Sequence, residues 1–595
     1  MLIDFPNGDG QYMDEEIIIT KAPGSCEMLD DDSRGRVRQQ VRSQTYQSAH
    51  IKTFENNMND HVAIGVIFGS KHALGLATMP HRFNVGAFFH ITHIWAQLNG
   101  LHTVFMFRLQ KVNLNEKSWW APLGSALPPA NRDYLKKAPL ASCIECQSES
   151  PLIYDEGWVC VNHACGAMGR LQGHNSSIPL SFNQDWLNER KRWPTGRMPE
   201  QQLAPTFPEN INGTTFTTSV AGWKGFICPR CHCCNSRIDW AHQKCIAEGC
   251  DYSQKVTHAI QTHLSLLPPH VEEVHGHAIP HNVHRGHVEC TKLFLGHWVL
   301  LTYKLCENNY VTHFMANRHI NGRPGGANDM LLEMQKGDGL GLKRPYMRGQ
   351  QLTRHYARNF GMPYNYVAAP DSAPFSEAPP AIMTSLNRLT WAGSEAVRGQ
   401  YYPPRNELLA VGYMESQRMG YHDDGERELD DLVSTWSLGA PAHMEFRIKR
   451  SHAHPNLGEE SYDPTDEVVM GSDFWQSRQR LNALYRAGHM NAFRLAKREF
   501  FDTNRTEIRR LGARNAQVPW CLQLQLSHGD FVVMHGAQIH TSYEHQVIAG
   551  GALRYAMTAR YVRPHLVDPS ERWRGDFTLA PGTQYTGDLD LPIPL

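Results

Sequence analysis

Two imidazoles and one carboxylate stand at a spacing with chemical meaning. His422 and Asp424 are two residues apart, and a third ligand, His545, follows much later in the chain. On an extended strand such neighbours project from one face, so both can reach a single ion. Two histidines and a carboxylate on one face of an octahedral ion leave three positions open, as in non-haem Fe(II) oxygenases. Among 33 histidines a lone His-x-Asp also arises by chance. The order gives the pair its weight: His-x-Asp, His, then Arg554 and Arg560, within strand-like segments. A fixed guanidinium behind the last ligand suits a co-substrate carboxylate.

Cysteines form a second constellation, and it is repeated. Cys143-x2-Cys146 is followed after thirteen residues by Cys160-x4-Cys165, and Cys228, Cys231, Cys245 and Cys250 repeat those spacings. Trp158 and Trp240 each stand shortly before the third cysteine of their unit, so the two units read as an internal duplication. Four thiolates in two knuckles close a tetrahedral shell around Zn²⁺ with no open position, which is a structural metal. A redox role would leave the second cysteine pair of each unit unexplained. His232, Cys233 and Cys234 are further candidates in the second unit.

The elements that must position these groups are read next. A chain of 595 residues exceeds one core, so several domains are expected. Residues 1–58 are polar and lack sustained periodicity, which reads as a flexible arm. A β-rich region with the two ribbons fills 59–320, with strands expected in VAIGVIFG, TVFMFRLQKV, HWVLLTYKL and VTHFMANRHI. Eight histidines between His258 and His287 fit no standard metal spacing, and the prolines among them point to a polar loop. Residues 319–345 are glycine-rich and read as a loop, and 366–382 as a lid or linker. The catalytic domain spans 321–565, and 566–595 read as a tail. Within that domain 450–520 is an insertion, helical over Trp475–Leu511, with Leu481, Leu484, Tyr485, Phe493, Leu495 and Phe500 at packing positions. Its basic residues, Arg494, Lys497 and Arg498 among them, suit a phosphate backbone or simply a solvated helix face.

At this point the chain resembles the AlkB family of 2-oxoglutarate-dependent dioxygenases. MGYHDDGERELDDLVSTWSLGAPAHMEFR is similar to the family's His-x-Asp strand and the Ser-Leu-Gly strand after it. HGDFVVMHG resembles the strand before the third ligand, Arg554 and Arg560 the family's Arg-x5-Arg, and NFGMPYNYV its nucleotide-recognition lid. The resemblance covers roughly 343–563. It implies a double-stranded β-helix (jelly roll), so the fold class is α+β, mainly β, with the zinc ribbons in a separate β-rich N-terminal region. It also implies that His422, Asp424 and His545 hold Fe(II), that Arg554 and Tyr413 hold 2-oxoglutarate, that Arg560 steadies the site, and that Tyr364 and Tyr366 contact a flipped nucleotide. The implied reaction consumes O2 and removes N-methyl groups from nucleobases, DNA ahead of RNA. Where the family often has Asn, this chain has Val411 and Ala556. Two side-chain hydrogen bonds to the co-substrate are therefore absent from the pattern.

Two other readings stay open: a protein hydroxylase or demethylase of the same fold, and a non-catalytic zinc-dependent nucleic-acid-binding protein. A net charge of −1 excludes a strongly basic whole-molecule field, so any nucleic-acid binding must be local. With no secretory signal, no long apolar run and metal-spaced cysteines, the expected setting is intracellular and away from membranes. A nucleus follows only from the DNA reading.

Overall fold

The computed structural model describes the chain apart from residues 4–10, 25, 32–34, 71–78, 100, 123, 172–179, 195–202, 204–217, 257, 267–272, 275–276, 279–280, 338, 348–350, 364–371, 455–456, 514–515, 580–581 and 591–595. It forms two compact units. The first takes in Met1–Phe207, Phe226–Asn235 and Cys245–Tyr252, and the second Pro208–Gly225, Ser236–Lys244 and Ser253–Leu595.

The first unit is built on a six-stranded sheet. Its order is Leu2–Ile3, Ile64–Gly69, Phe83–Asn99, His102–Lys111, Ile17–Lys21, Tyr12–Met13. Period-two alternation splits the central strands between two cores. Phe105, Phe107 and Leu109 face one, with Ile18, Phe89 and Trp120. Val104 and Met106 face the other, with Ile17, Ile19, Trp95 and Trp186. Arg108 is fully buried, and its guanidinium donates to the carbonyls of Trp186, Leu187 and Glu189 at the end of the short helix Gln184–Asn188. The expected N-terminal arm is thus corrected. Ile17, Ile18 and Ile19 are buried strand residues, and helix Ala49–Asn59 buries Ile51. The polar stretch keeps just enough apolar side chains to add edge strands to a sheet made later in the chain.

The second unit contains two sheets. The larger has nine strands in the order Glu289–Leu295, Trp298–Cys306, Asn309–Met315, Phe531–His535, Leu432–Gly439, Leu553–Arg560, Glu407–Met414, Tyr356–Gly361, Ser372–Ala373. The smaller has five: Val283–His284, Leu522–Leu526, Ala442–Ile448, Tyr543–Ala549, Arg418–His422. Leu409, Val411, Tyr413 and Val433 of the larger sheet share one core with Met444, Phe446, Leu522, Leu524 and Val547 of the smaller, the packing of a jelly roll. The outer face of the larger sheet is covered by helices Ala327–Met334 and Pro380–Ala396.

Several boundaries move. Strands between 289 and 315 belong to the larger sheet, so the division at 320 falls inside a unit. The glycine-rich 319–345 stretch contains helix Ala327–Met334, because Met330, Leu331 and Met334 recur at helical spacing and are buried. Val283–His284, in the histidine-dense stretch, pairs with Leu522–Gln523 as a sheet edge. The C-terminal stretch is not a tail: the Trp298 indole donates to the Gly587 carbonyl, and Tyr585 packs edge-on against Trp391. The helical part of the insertion expected over Trp475–Leu511 is two helices, Trp475–Arg486 and Met490–Gly512, broken at Gly488. Leu481, Phe493 and Phe500 are buried, but Tyr485 is at the surface and Leu495 is 71% exposed. Leu495 lies two residues from Phe493, about 200° around a helix, so the two cannot share a face.

Candidate active site and metal centres

The smaller sheet brings the triad together. His422 and His545 are register partners on adjacent antiparallel strands, and their rings lie 4.2 Å apart between centroids. The strand ends at His422, so Asp424 sits just past it rather than on it. Ligand atoms of all three residues lie within 4.8 Å of one another. His422 donates from Nδ1 to the Gly420 carbonyl at 2.8 Å, which leaves Nε2 free to bind a metal. Asp424 is buried, and burial alone would raise its pKa. Arg560, His545 and His422 outweigh that and hold the carboxyl well below the usual range, so it is ionised. Arg560 donates to Asp424 Oδ1 through both Nε and Nη2, while Oδ2 faces His545 Nε2 at 3.7 Å.

The larger sheet supplies the next layer. Along the pair Glu407–Met414 and Leu553–Arg560, the register partners are Glu407 with Arg560, Val411 with Ala556, and Tyr413 with Arg554. Tyr413 and Arg554 are fully buried, with the guanidinium carbon 5.2 Å from the Tyr413 ring centre. Arg554 donates from Nη2 to Ser437 Oγ at 3.0 Å, while Nε and Nη1 are buried with no hydrogen-bond partner among the described residues. A guanidinium with two free donors in a closed site fits a carboxylate ligand. Burial raises the Tyr413 hydroxyl to about 12 against the pull of Arg554, so it remains a donor. The two positions that break the AlkB pattern, Val411 and Ala556, are thus partners that close one apolar patch.

Sequence reasoning missed three contributors. Ser437 anchors Arg554. Glu407, fully buried, sits 3.4 Å from Arg560 Nη1; burial raises its pKa to about 8 against the attraction of Arg560. His355 lies one residue before the strand that pairs with Glu407–Met414, its ring 6.0 Å from that of Tyr413. Alternation backward from Tyr413 reaches Glu407 on the same face, a readable signal. A lone histidine outside any motif gives none.

Both cysteine groups close. Cys143 and Cys165 stand 3.8 Å apart between sulfurs and Cys146 and Cys160 3.7 Å; Cys228–Cys250 and Cys231–Cys245 stand at 3.8 and 3.5 Å. A tetrahedron with Zn–S of about 2.3 Å has edges of about 3.8 Å, so both shells fit Zn²⁺. Of the extra candidates in the second unit, Cys233 points its sulfur at the Cys234 carbonyl, and none of His232, Cys233 and Cys234 joins the group of four.

Tyr364 and Tyr366 lie outside the described residues. Arg494, Lys497 and Arg498 are on the second insertion helix, which with its neighbour builds a small core from Tyr462, Leu481, Phe493, Phe500 and Phe501. Among the described residues no hydrogen bond or ion pair links these three cations to the triad; Lys497 lies 5.7 Å over the Tyr462 ring.

The model of the 2OG-Fe(II) oxygenase superfamily matches residues 332–550. This segment is a 2OG-Fe(II) oxygenase domain. The match includes all three triad residues and stops before Arg554 and Arg560, which the sheet register ties to the oxygenase domain. A solved structure titled "The structure of OsALKBH1" is similar at 15% identity, over 44% of this chain and 99% of that one, with a TM-score of 0.22. At that score the likeness adds nothing to what the oxygenase site itself shows. No curated protein matches the chain.

Proposed function

We propose that the chain is an AlkB-type oxygenase that demethylates N-methylated nucleobases in nucleic acid, DNA ahead of RNA. In this reading His422, Asp424 and His545 hold Fe(II), and Arg560 fixes the carboxylate so that one oxygen is left for the metal. Arg554 and Tyr413 hold the far carboxylate of 2-oxoglutarate. Bound together, Fe(II), 2-oxoglutarate and O2 supply an oxidation coupled to decarboxylation to succinate, which turns an N-methyl group into a hydroxymethyl group that leaves as formaldehyde.

One observation carries the choice of substrate. Arg480, Arg486, Arg494, Arg498 and Arg509 are exposed on the insertion helices and have no hydrogen bond or ion pair among the described residues. The acids there are partly used: Asp502 pairs with Arg505 and Glu507 with Arg510. A row of unpaired guanidinium groups in a nearly neutral chain suits a polyphosphate ligand.

The test is anaerobic reconstitution with Fe(II) and 2-oxoglutarate, then succinate release on N-methylated DNA and RNA oligonucleotides, with Asp424→Ala as control. Turnover on an oligonucleotide that is lost in the variant supports the reading and names the base. Succinate without oligonucleotide turnover moves the substrate to protein. No metal-dependent succinate at all leaves a zinc-braced binding protein.

A further inference from the structure

Two buried side chains that flank the same tyrosine carry polar atoms that nothing among the described residues satisfies. Arg554 lies on one side of Tyr413, with Nε and Nη1 free. His355 lies on the other, 6% exposed, with neither ring nitrogen making a hydrogen bond; the Arg418 carbonyl is close to the ring without completing one. Burial keeps this imidazole neutral, with one N–H to donate. Buried polar groups in folded chains are almost always paired, so unpaired donors gathered around one side chain mark the place of an absent acceptor.

The register says what that acceptor is. The next inward positions along these strands, Ala357, Val411 and Ala556, form a continuous paired row with no polar side-chain atom. At this end of the wall, before that apolar row, a polar ligand meets His355, Tyr413 and Arg554. Arg554 suits one carboxylate. His355, on the far side of Tyr413 from Arg554, stands toward the opposite end of a short dicarboxylate. We infer that His355 is a co-substrate-binding residue that donates to the metal-side carboxylate of 2-oxoglutarate and takes over the contact that asparagines at 411 and 556 would have made. This rests on the oxygenase reading above.

The experiment uses the full chain under anaerobic conditions with Mn(II) in place of Fe(II), so that binding is read without turnover. Calorimetry gives the affinity for 2-oxoglutarate in the wild type, His355→Phe and His355→Gln. Loss of one hydrogen bond to a charged group predicts a drop of about tenfold or more for His355→Phe. His355→Gln, which keeps a donor, recovers most of it. Affinity for a methylated oligonucleotide is measured on the same samples and stays within about twofold of wild type. Should Phe not fit, His355→Leu makes the same comparison, with thermal melting as the check on folding. Unchanged 2-oxoglutarate affinity in the apolar variants overturns the inference. A fall confined to oligonucleotide affinity also overturns it and makes His355 a substrate contact. A wild type that binds no 2-oxoglutarate sinks the oxygenase reading together with the inference, and so separates the two failures.

Discussion

Arg560 places Nε and Nη2 against a single oxygen of Asp424, at 3.1 and 2.8 Å. The carboxylate is thereby split into an oxygen that is held and an oxygen that is free. Lysine carries the charge but not the planar fork. Arg560→Lys is therefore expected to weaken Fe(II) binding by about 10–100-fold, the range for outer partners of metal ligands. Metal titration of the purified variant checks this, and wild-type affinity would show that the fork is dispensable.

The cysteine groups predict a metal count. The intact chain should bind two zinc ions, one per group of four. Cys143→Ser and Cys228→Ser should each remove one equivalent, because a tetrahedral shell closed by four thiolates loses most of its affinity with three. Elemental analysis after dialysis against a weak chelator reads the result. A full complement in either variant would argue against the closed shell.

Stability should fall as the medium turns acid, and His528 contributes. Its Nδ1 accepts from the Gly439 amide at 2.9 Å, and its Nε2 lies 3.1 Å from Asn328 Oδ1. Burial, with His263 nearby, lowers its pKa to about 3. The unfolded chain takes up a proton below its ordinary value near 6.5, and the folded chain does not. The contribution is whole above that pH and is lost as pH falls toward 3, at up to about 1.4 kcal/mol per pH unit. His528→Asn keeps an acceptor for Gly439 and cannot titrate, so urea midpoints of the variant should decline less steeply between pH 7 and 5. Parallel profiles would remove His528 from the acid response.

The insertion helices should respond to salt. Arg494→Ala with Arg498→Ala is expected to lower oligonucleotide affinity and to reduce the slope of log affinity against log salt by about two. Fluorescence anisotropy at several salt concentrations measures both. A weaker complex with an unchanged slope would mean that these residues do not meet phosphate.

How much of this was legible beforehand depends on sequence distance. The triad could be read because two of its ligands are two residues apart, and the zinc shells because each knuckle is local and occurs twice. Leu2–Ile3 could not: a two-residue strand has no period, and its partner, Ile64–Gly69, lies about sixty residues on. The helix between the glycines at 326 and 337 was hidden by composition, although Met330, Leu331 and Met334 mark its buried side. Leu495 is in solvent because Phe493, two residues earlier on the same helix, takes the buried face. His355 became visible only when pairing set it beside Tyr413.

The pairing of Glu407–Met414 with Leu553–Arg560 makes chain length, more than side-chain identity, the constrained quantity here. Tyr413–Arg554, Val411–Ala556 and Glu407–Arg560 share one face in one frame. Changing Val411 or Ala556 alters a single rung. Deleting one residue between Arg554 and Arg560 would shift the rungs beyond it and leave the two arginines on opposite faces. In a lineage of such chains, the interval between the two arginines should therefore outlast the residues that lie between them.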